Sequence, residues 1–303
     1  MKKNKFTFSL FIILISLICK LNGQTSLRFE SLGQEDGLSQ TAFHDLLIDK
    51  NGFLWVATQD GLNKYDGYSF TVYRNDPANS KSICNKWVQT IAEAEPGIIW
   101  VGTRRGLSRF NSLTEEAEHI FSIPGDTNSI ISNNISGIWV DKKGLVWIGS
   151  PEGLCVLDYA SKKIERFYHQ PSDTTSISSN IIRCITSNSK NQVLIGTANG
   201  LNVYNPDKKK FTRFFDLPDI NITRIFSDSQ DNLWVGTSKG LGWFSPEQKT
   251  YTGFIADSLN KTAVSFNVIN GIAEDKQGRI WITTGNGLNI FDKTKKEFES
   301  ILK

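Results

Sequence analysis

The chain has 303 residues, a length that fits one or two domains. Its net charge of +3 comes from 34 basic and 31 acidic side chains, and the first 23 residues hold four lysines and no acid. The remainder is therefore nearly neutral, which gives no electrostatic reason to expect nucleic-acid binding. Beyond this stretch Cys84, Cys155 and Cys184 are scattered, and this spacing excludes a disulfide framework and a paired zinc motif.

The first 23 residues are typical of a secretory signal peptide. A basic start is followed by an apolar stretch from Phe6 to Ile18, which is shorter than a membrane-spanning helix. Cleavage after Gly23 is predicted, which leaves 24–303 as a periplasmic domain. A lipoprotein signal ending at Cys19 is the alternative, although the bulky Ile18 precedes that cysteine. No later apolar run approaches the length of a membrane span.

A segment of 40 to 47 residues then recurs six times. We use as reference position the tryptophan of "LWVAT", which is leucine in the fourth repeat. A hydroxyl side chain follows three residues later and a glycine–leucine pair begins six residues later, while apolar residues stand nine and twelve positions before. The reference positions are Trp55, Trp100, Trp147, Leu194, Trp234 and Trp281, and the glycines are Gly61, Gly106, Gly153, Gly200, Gly240 and Gly287.

Each repeat predicts four short strands, which we name a to d. Strand a carries the early apolar pair, strand b the reference residue, strand c begins at the glycine, and strand d is a stretch such as "SFTVY". A repeated aspartate, as at Asp49, is expected to bind backbone amides of the a–b turn. Radial repetition of such units predicts an all-β fold, a β-propeller whose tryptophans are buried between blades. The blades are expected at about 40–73, 85–121, 132–168, 179–215, 220–254 and 266–302. The blade with Leu194 should pack least well.

The repeats resemble the two-component regulator propeller repeat, found in the periplasmic half of hybrid sensor histidine kinases of Bacteroidetes. The opening "LRFESLGQEDGLSQTAFHDLLIDKNGFLWVATQDGLNKYDGYSF" and the connectors "DTNSIISNNI" and "DTTSISSNII" carry the resemblance, which covers residues 27–303. It implies periplasmic recognition, often of carbohydrate breakdown products, transmitted across a membrane to a kinase. The sequence contains no kinase region, so we expect a truncated or N-terminal part of such a sensor, membrane-anchored only in a longer form.

The strand order suggests a larger ring. Residues 27–32 look like a lone strand d before the first blade, and such a strand normally completes the last blade. The sixth repeat already has a strand d at 297–302, so we expect a further a–b–c unit and a seven-bladed ring. A closed six-bladed ring with one extra edge strand is the alternative.

Ligand binding is expected on the face formed by the b–c turns and the d–a connectors, because these segments vary between repeats. Arg104 and Arg105 form the only doublet of cations among the b–c turns, and planar guanidinium groups suit carboxylate or sulfate oxygens. The short connector "DLPDINI" between the fourth and fifth blades should leave a notch. Solvated loops without a ligand are the alternative. The candidate ligand-binding residues are Gln59, Asp60, Trp87, Arg104, Arg105, Glu152, His169, Asn199, Lys239 and Asn286.

The sequence carries no motif for catalysis or for a cofactor. His44, His119 and His169 are not spaced as metal ligands, "DKNG" departs from a calcium loop, and neither a nucleophile elbow nor a phosphate loop occurs. We therefore expect no cofactor and no metal, and a sensor for an oligosaccharide or other small ligand rather than an enzyme. A docking or dimerisation scaffold is the alternative, with possible homodimers. Two carboxylates converging on the variable face would make a lyase or glycosidase.

Overall fold

The computed structural model describes residues 29–214, 221–245 and 250–302. The chain divides into two compact units, 1–32 and 33–303. The predicted signal peptide and residues 27–28 of the predicted lone strand lie outside the described residues. The described remainder of that strand, residues 29–32, is not in a strand, and every described sheet is completed by four strands of its own repeat. Among the described residues, no helix has the length and apolar character needed to span a membrane.

The second unit is an all-β propeller, as predicted. It consists of six four-stranded antiparallel blades, in each of which neighbouring strands follow one another along the chain. The first strands of successive blades pack against each other, from the first blade to the sixth, and they surround the central channel. The strands are β1 (Phe43–Ile48), β2 (Leu54–Thr58), β3 (Gly61–Tyr65), β4 (Phe70–Tyr73), β5 (Val88–Glu93), β6 (Ile98–Thr103), β7 (Gly106–Asn111), β8 (Glu116–Ile120), β9 (Gly137–Val140), β10 (Val146–Ser150), β11 (Gly153–Asp158), β12 (Lys163–Phe167), β13 (Ile182–Ser187), β14 (Val193–Thr197), β15 (Gly200–Asn205), β16 (Lys210–Phe214), β17 (Ile222–Ser227), β18 (Leu233–Thr237), β19 (Leu241–Ser245), β20 (Thr250–Phe254), β21 (Ile269–Glu274), β22 (Ile280–Thr284), β23 (Gly287–Asp292) and β24 (Glu297–Leu302).

The reference residues of strand b form the core between blades. Trp55 and Trp234 are fully buried and meet an aromatic ring of the next blade edge-on, Trp55 with Phe110 and Trp234 with Phe291. Leu194 is also buried, but its cluster holds five buried residues among those that the structure describes, whereas the cluster at Trp55 holds ten. A leucine fills less of the space between two blades than a tryptophan does, which accounts for the smaller cluster.

The repeated turn aspartate is a structural residue, as predicted. Asp49 Oδ1 accepts hydrogen bonds from the backbone N–H groups of Asn51 and Phe53, both at 2.9 Å. Its Oδ2 also accepts a bond from the indole N–H of Trp55 at 2.8 Å, which the sequence pattern did not predict. The same turn carboxylate therefore binds the backbone amides of the a–b turn and accepts the hydrogen bond of the buried indole N–H. Asp141, Asp228 and Asp275 repeat this arrangement with Trp147, Trp234 and Trp281.

The recurrent glycine closes the b–c turn in a conformation that disfavours other residues. Gly240 has φ +144°, and a Cβ there would lie 2.4 Å from the carbonyl oxygen of Phe254. The hydroxyl three residues after the reference position donates to the glycine carbonyl, as Thr237 does at 2.9 Å. These two features explain why both positions recur in every repeat.

The first and last blades leave their facing surfaces uncovered. Phe43 and Leu46 of β1 are 57% and 52% exposed, whereas the equivalent Val88 and Ile91 of β5 are 0% and 6% exposed. At the other end Trp281 is only half-buried. No packing comparable to that between the other first strands joins β21 to β1 in the described part of the chain. Blades 1 and 6 therefore do not bury these surfaces against each other.

Candidate functional site

The b–c turns and the ends of the d–a connectors lie on one face, which we call the loop face. The backbone N–H of Arg104 in a b–c turn donates to the carbonyl of Trp87 in a connector at 3.2 Å. The same pairing joins Ala198 to Ile181 in the fourth blade at 3.0 Å. In the second and fourth blades, and in the sixth through Gly285 and Val268 at 3.2 Å, the b–c turn is thus fixed to the connector that leads into the same blade, around the mouth of the central channel.

A cluster of three side chains from two blades stands at this mouth. The indole N–H of Trp87 donates to Nε2 of His44 at 3.1 Å, and the two rings are nearly parallel, 10° apart. Because the indole nitrogen can only donate, His44 Nε2 is the acceptor and the ring proton sits on Nδ1. The guanidinium carbon of Arg104 lies 3.7 Å from the centroid of the Trp87 ring, a cation–π contact.

Two amides extend the cluster towards the third blade. Arg104 Nε donates to Gln89 Oε1 at 3.2 Å. Gln89 Nε2 donates in turn to Asn134 Oδ1 at 3.1 Å and to the carbonyl of Ile135 at 2.6 Å. We call His44, Trp87, Gln89, Arg104 and Asn134 the mouth network; its side chains hold one another in fixed positions.

The electrostatics of the mouth network favour a neutral His44. Partial burial lowers the pKa of this imidazole, the positive charge of Arg104 lowers it further, and the Asp45 carboxylate opposes both effects. A neutral ring is also the form that can accept the bond from Trp87. Protonation of His44 therefore breaks that hydrogen bond and places a second positive charge beside Arg104.

Two further titratable side chains of the first strands, Asp45 and Cys184, have pKa values that burial shifts. Asp45 Oδ2 accepts hydrogen bonds from the Thr90 hydroxyl at 3.0 Å and from the Ile91 backbone N–H at 2.9 Å. Burial raises the pKa of Asp45, and these hydrogen bonds and the charge of Arg224 counteract part of that rise. Burial also raises the pKa of Cys184 to about 12, so this thiol stays protonated and unreactive at neutral pH.

Two predicted acidic ligand-binding residues are already engaged with neighbours. Asp60 forms ion pairs with Arg74 at 3.0 Å and Lys86 at 3.2 Å, and these cations lower its pKa although desolvation opposes them. Glu152 accepts a hydrogen bond from the Ser132 hydroxyl at 3.0 Å. Their carboxylates brace the b–c turns against the connectors.

The other predicted residues occupy separate positions around the loop face. His169 Nδ1 donates to the carbonyl of Ile177 at 2.8 Å, and Asn199 Nδ2 donates to the carbonyl of Ser178 at 3.3 Å. These bonds tie both side chains to their own connector. Gln59 is half-buried, and Arg105, Lys239 and Asn286 are exposed. The expected notch falls largely on residues 215–220, outside the described residues.

The described residues contain no group of three or more histidine, cysteine or acidic side chains close enough to hold a metal ion. The free thiols of Cys84, Cys155 and Cys184 are buried or half-buried.

Sequence reasoning identified Trp87 and Arg104 but missed His44, Gln89 and Asn134 as parts of the same cluster. His44 and Gln89 stand eleven positions before the reference residue, directly after the first apolar residue of strand a. That position varies between repeats while the position before it is always apolar, and this variation was the available signal. The six residues there are His44, Gln89, Ser136, Arg183, Thr223 and Asn270.

Comparison with known proteins supports the predicted relationship. The family model described as "Two component regulator propeller" matches residues 37–60, 216–239 and 263–286. A 74-residue segment is 49% identical to histidine kinase P4 of Formosa agariphila and covers 24% of this chain and 5% of that protein. The sequence-based resemblance is thereby confirmed.

Solved structures show the same propeller. The extracellular domain of a putative hybrid two-component system from B. thetaiotaomicron is 28% identical with a TM-score of 0.76, over 90% of this chain and 36% of that one. A second such domain from that organism is 20% identical with a TM-score of 0.58, over 86% of this chain and 43% of that one. A virginiamycin B lyase from Staphylococcus aureus is 14% identical with a TM-score of 0.64, over 87% of this chain and 85% of that one. The last two are likenesses of fold alone. This chain spans about one third of the first structure and one twentieth of the kinase.

Proposed function

We propose that this chain, which carries two-component regulator propeller repeats, is the ligand-sensing propeller of a two-component signalling system. It binds a carbohydrate-derived small ligand at the mouth of the central channel, outside the cytoplasm. The observation that carries the proposal is the mouth network, in which an indole, an imidazole, a guanidinium and two amides converge on the loop face. Convergent polar groups around an aromatic ring are typical of small-ligand sites.

Two further observations support a sensor rather than an enzyme. The structural relative with 28% identity is the extracellular domain of a putative hybrid two-component system. The two acidic residues that could form a glycosidase pair, Asp60 and Glu152, each bind a neighbouring side chain instead of standing free. The kinase step of such a system lies in other domains, which are this propeller's partners. The expected absence of catalysis stays a prediction.

Isothermal titration calorimetry of residues 24–303 against a broad panel of oligosaccharides tests this function. We expect binding of at least one oligosaccharide, and loss of that binding in Trp87→Ala. Lys142→Ala is the matched control, because Lys142 is exposed in an a–b turn on the opposite face, and it should bind as the unchanged protein does. If no oligosaccharide in the panel binds and another protein clearly does, the docking scaffold is favoured.

We also propose that one further four-stranded blade covers the exposed surfaces of blades 1 and 6 and completes a seven-bladed ring. The support is that the residue equivalent to Phe43 is buried at the five other blade junctions, namely Val88, Ile135, Ile182, Ile222 and Ile269. A homodimer across the same surfaces is the alternative. Sedimentation velocity separates the two alternatives. A concentration-dependent dimer that Phe43→Asp abolishes would favour the homodimer. A monomer at all concentrations would favour the further blade.

Turnover assays on polysaccharides test the remaining alternative, a lyase or glycosidase. We expect no turnover. Turnover that disappears in both Asp60→Ala and Glu152→Ala would replace the sensor proposal with an enzyme.

A further inference from the structure

We infer that Arg104 is a pre-positioned binding group for carboxylate or sulfate oxygens, and that the ligand of the channel mouth is an acidic oligosaccharide. This inference rests on the function proposed above and names the ligand class for the same site. It draws on two independent features: the way in which Arg104 is held, and the distribution of charge around the mouth.

The guanidinium of Arg104 is fixed on two sides and open on the third. The Trp87 ring covers one face at 3.7 Å, and Nε is engaged by Gln89 at 3.2 Å. Gln89 is itself held by two hydrogen bonds from its amide nitrogen, so it cannot follow a moving arginine without losing them. The two terminal nitrogens of Arg104 bind no other residue in the described part of the chain. They present a planar pair of donors in the geometry that two oxygens of one anion can accept.

Fixation of this kind raises affinity because little side-chain freedom is lost on binding. A free surface arginine must give up rotamer entropy for each bond that it forms. Arg104 has already been ordered by Trp87 and Gln89 within the folded protein. Neighbouring Arg105 is exposed and has no such support, which makes it a natural comparison.

The charge distribution around the mouth favours an anion. Cationic side chains outnumber acidic ones among the b–c turns and the starts of the first strands, where all of the residues concerned are described. Each acid there is already bonded: Asp60 to two cations, Asp45 to a hydroxyl and a backbone amide, and Glu152 to a hydroxyl. The cations are Arg104, Arg105, Arg183, Arg224 and Lys239, and the acids are Asp45, Asp60 and Glu152. The side chains of Arg105 and Arg183 form no ion pair or hydrogen bond with another described residue. An anionic ligand would therefore meet uncompensated positive charge.

A glycan array that carries neutral, uronic-acid-containing and sulfated oligosaccharides, probed with residues 24–303, tests the inference. We expect every retained glycan to carry a carboxylate or a sulfate group. The uronic-acid and sulfated arms distinguish the two sources of the charge. The best-retained glycan is then titrated by calorimetry into the unchanged protein and into Arg104→Gln, Arg104→Lys, Arg105→Gln and Lys142→Gln.

Arg104→Gln should weaken binding by about 10- to 100-fold, the effect of losing charge-assisted hydrogen bonds. Arg104→Lys should also weaken it, because a lysine keeps the charge but not the planar pair of donors. Arg105→Gln should have a smaller effect and Lys142→Gln none. Raising the salt concentration should weaken binding to the unchanged protein more than to Arg104→Gln.

The outcomes separate this inference from the proposed function. Retention of neutral glycans, or equal affinity of Arg104→Gln for the acidic glycan, overturns the inference and leaves a sugar-binding sensor. Retention of no glycan at all contradicts the proposed function, and the inference with it. Circular dichroism of each variant confirms that the propeller is folded, so that a loss of binding is assigned to the site.

Discussion

Replacing Trp281 with alanine should destabilise the propeller much less than the same replacement at Trp234. The two tryptophans occupy the same position of the repeat. Each donates its indole N–H to a turn aspartate, Trp281 to Asp275 at 2.7 Å and Trp234 to Asp228 at 3.0 Å. The loss of this hydrogen bond is common to both variants and largely cancels in their comparison. What differs is the packing around each indole, within its own blade and against the next blade.

The burial and the aromatic contacts of the two tryptophans determine how much the two losses of stability differ. Trp234 is fully buried, stacks on Trp243 with centroids 5.4 Å apart, and meets Phe291 of the next blade edge-on at 5.1 Å. Truncating such a side chain costs about 3–5 kcal/mol. Trp281 is half-buried and has no aromatic partner in a following blade among the described residues. Its truncation should cost about 1–2 kcal/mol, in keeping with the smaller apolar area that it removes from water.

Urea denaturation followed by circular dichroism measures both changes in the free energy of unfolding. Equal destabilisation by the two variants would show that Trp281 is covered, and it would refute the conclusion that blades 1 and 6 leave their facing surfaces free. A larger effect at Trp234, by about 1–4 kcal/mol, is the expected result.

Three further variants probe the turn aspartate, the histidine of the mouth network and the b–c glycine, all by chemical denaturation. Asp228→Ala should cost about 3–5 kcal/mol, because it leaves an indole, two backbone amides and the Lys293 ammonium without their buried acceptor; a loss below about 1 kcal/mol would contradict this role. Folding lowers the pKa of His44 from 6.5, so as the pH falls the unfolded chain binds the proton first, and stability should decrease below about pH 6.5. His44→Gln should remove that part of the pH dependence, and an unchanged profile would contradict the assignment. Gly240→Ala should cost about 2 kcal/mol or more, since its Cβ would collide with a backbone oxygen of β20, and Gly144→Ala, with open space around it, should cost less.

The fold was predictable because the blades use the same residue types at the same positions to close their turns and to fill the core between blades. A tryptophan recurs in five repeats, a turn aspartate in four and a glycine with positive φ in all six, each at a fixed offset, so repeated copies of a weak local signal add up to one clear pattern. The role of the aspartate as an amide acceptor followed from its place in a turn. Its second bond comes from the indole of Trp55, six residues later. That bond depends on the direction in which the Trp55 side chain leaves strand b, and residue types alone do not show this direction.

The candidate site was only partly predictable, for a reason that its geometry makes plain. Trp87 and Arg104 stood out as unusual residues in variable loops. Their partner His44 is 43 residues before Trp87 and lies in a different blade, at a strand position that looks structural in any single repeat. Contacts between neighbouring blades form only when the blades are arranged around the channel. Asp60, a candidate ligand-binding acid, instead forms structural ion pairs with Lys86 and Arg74. This pairing depends on the same arrangement of the blades.

Hydrogen–deuterium exchange with the tightest-binding glycan tests the central claim, that this propeller senses its ligand at the channel mouth. Addition of the glycan should slow exchange in residues 85–89 and 103–106, which form the connector and the b–c turn around Trp87 and Arg104. Exchange in the a–b turns on the opposite face, such as residues 141–145, should not change. Slower exchange at those a–b turns, with none at the mouth, would contradict the account.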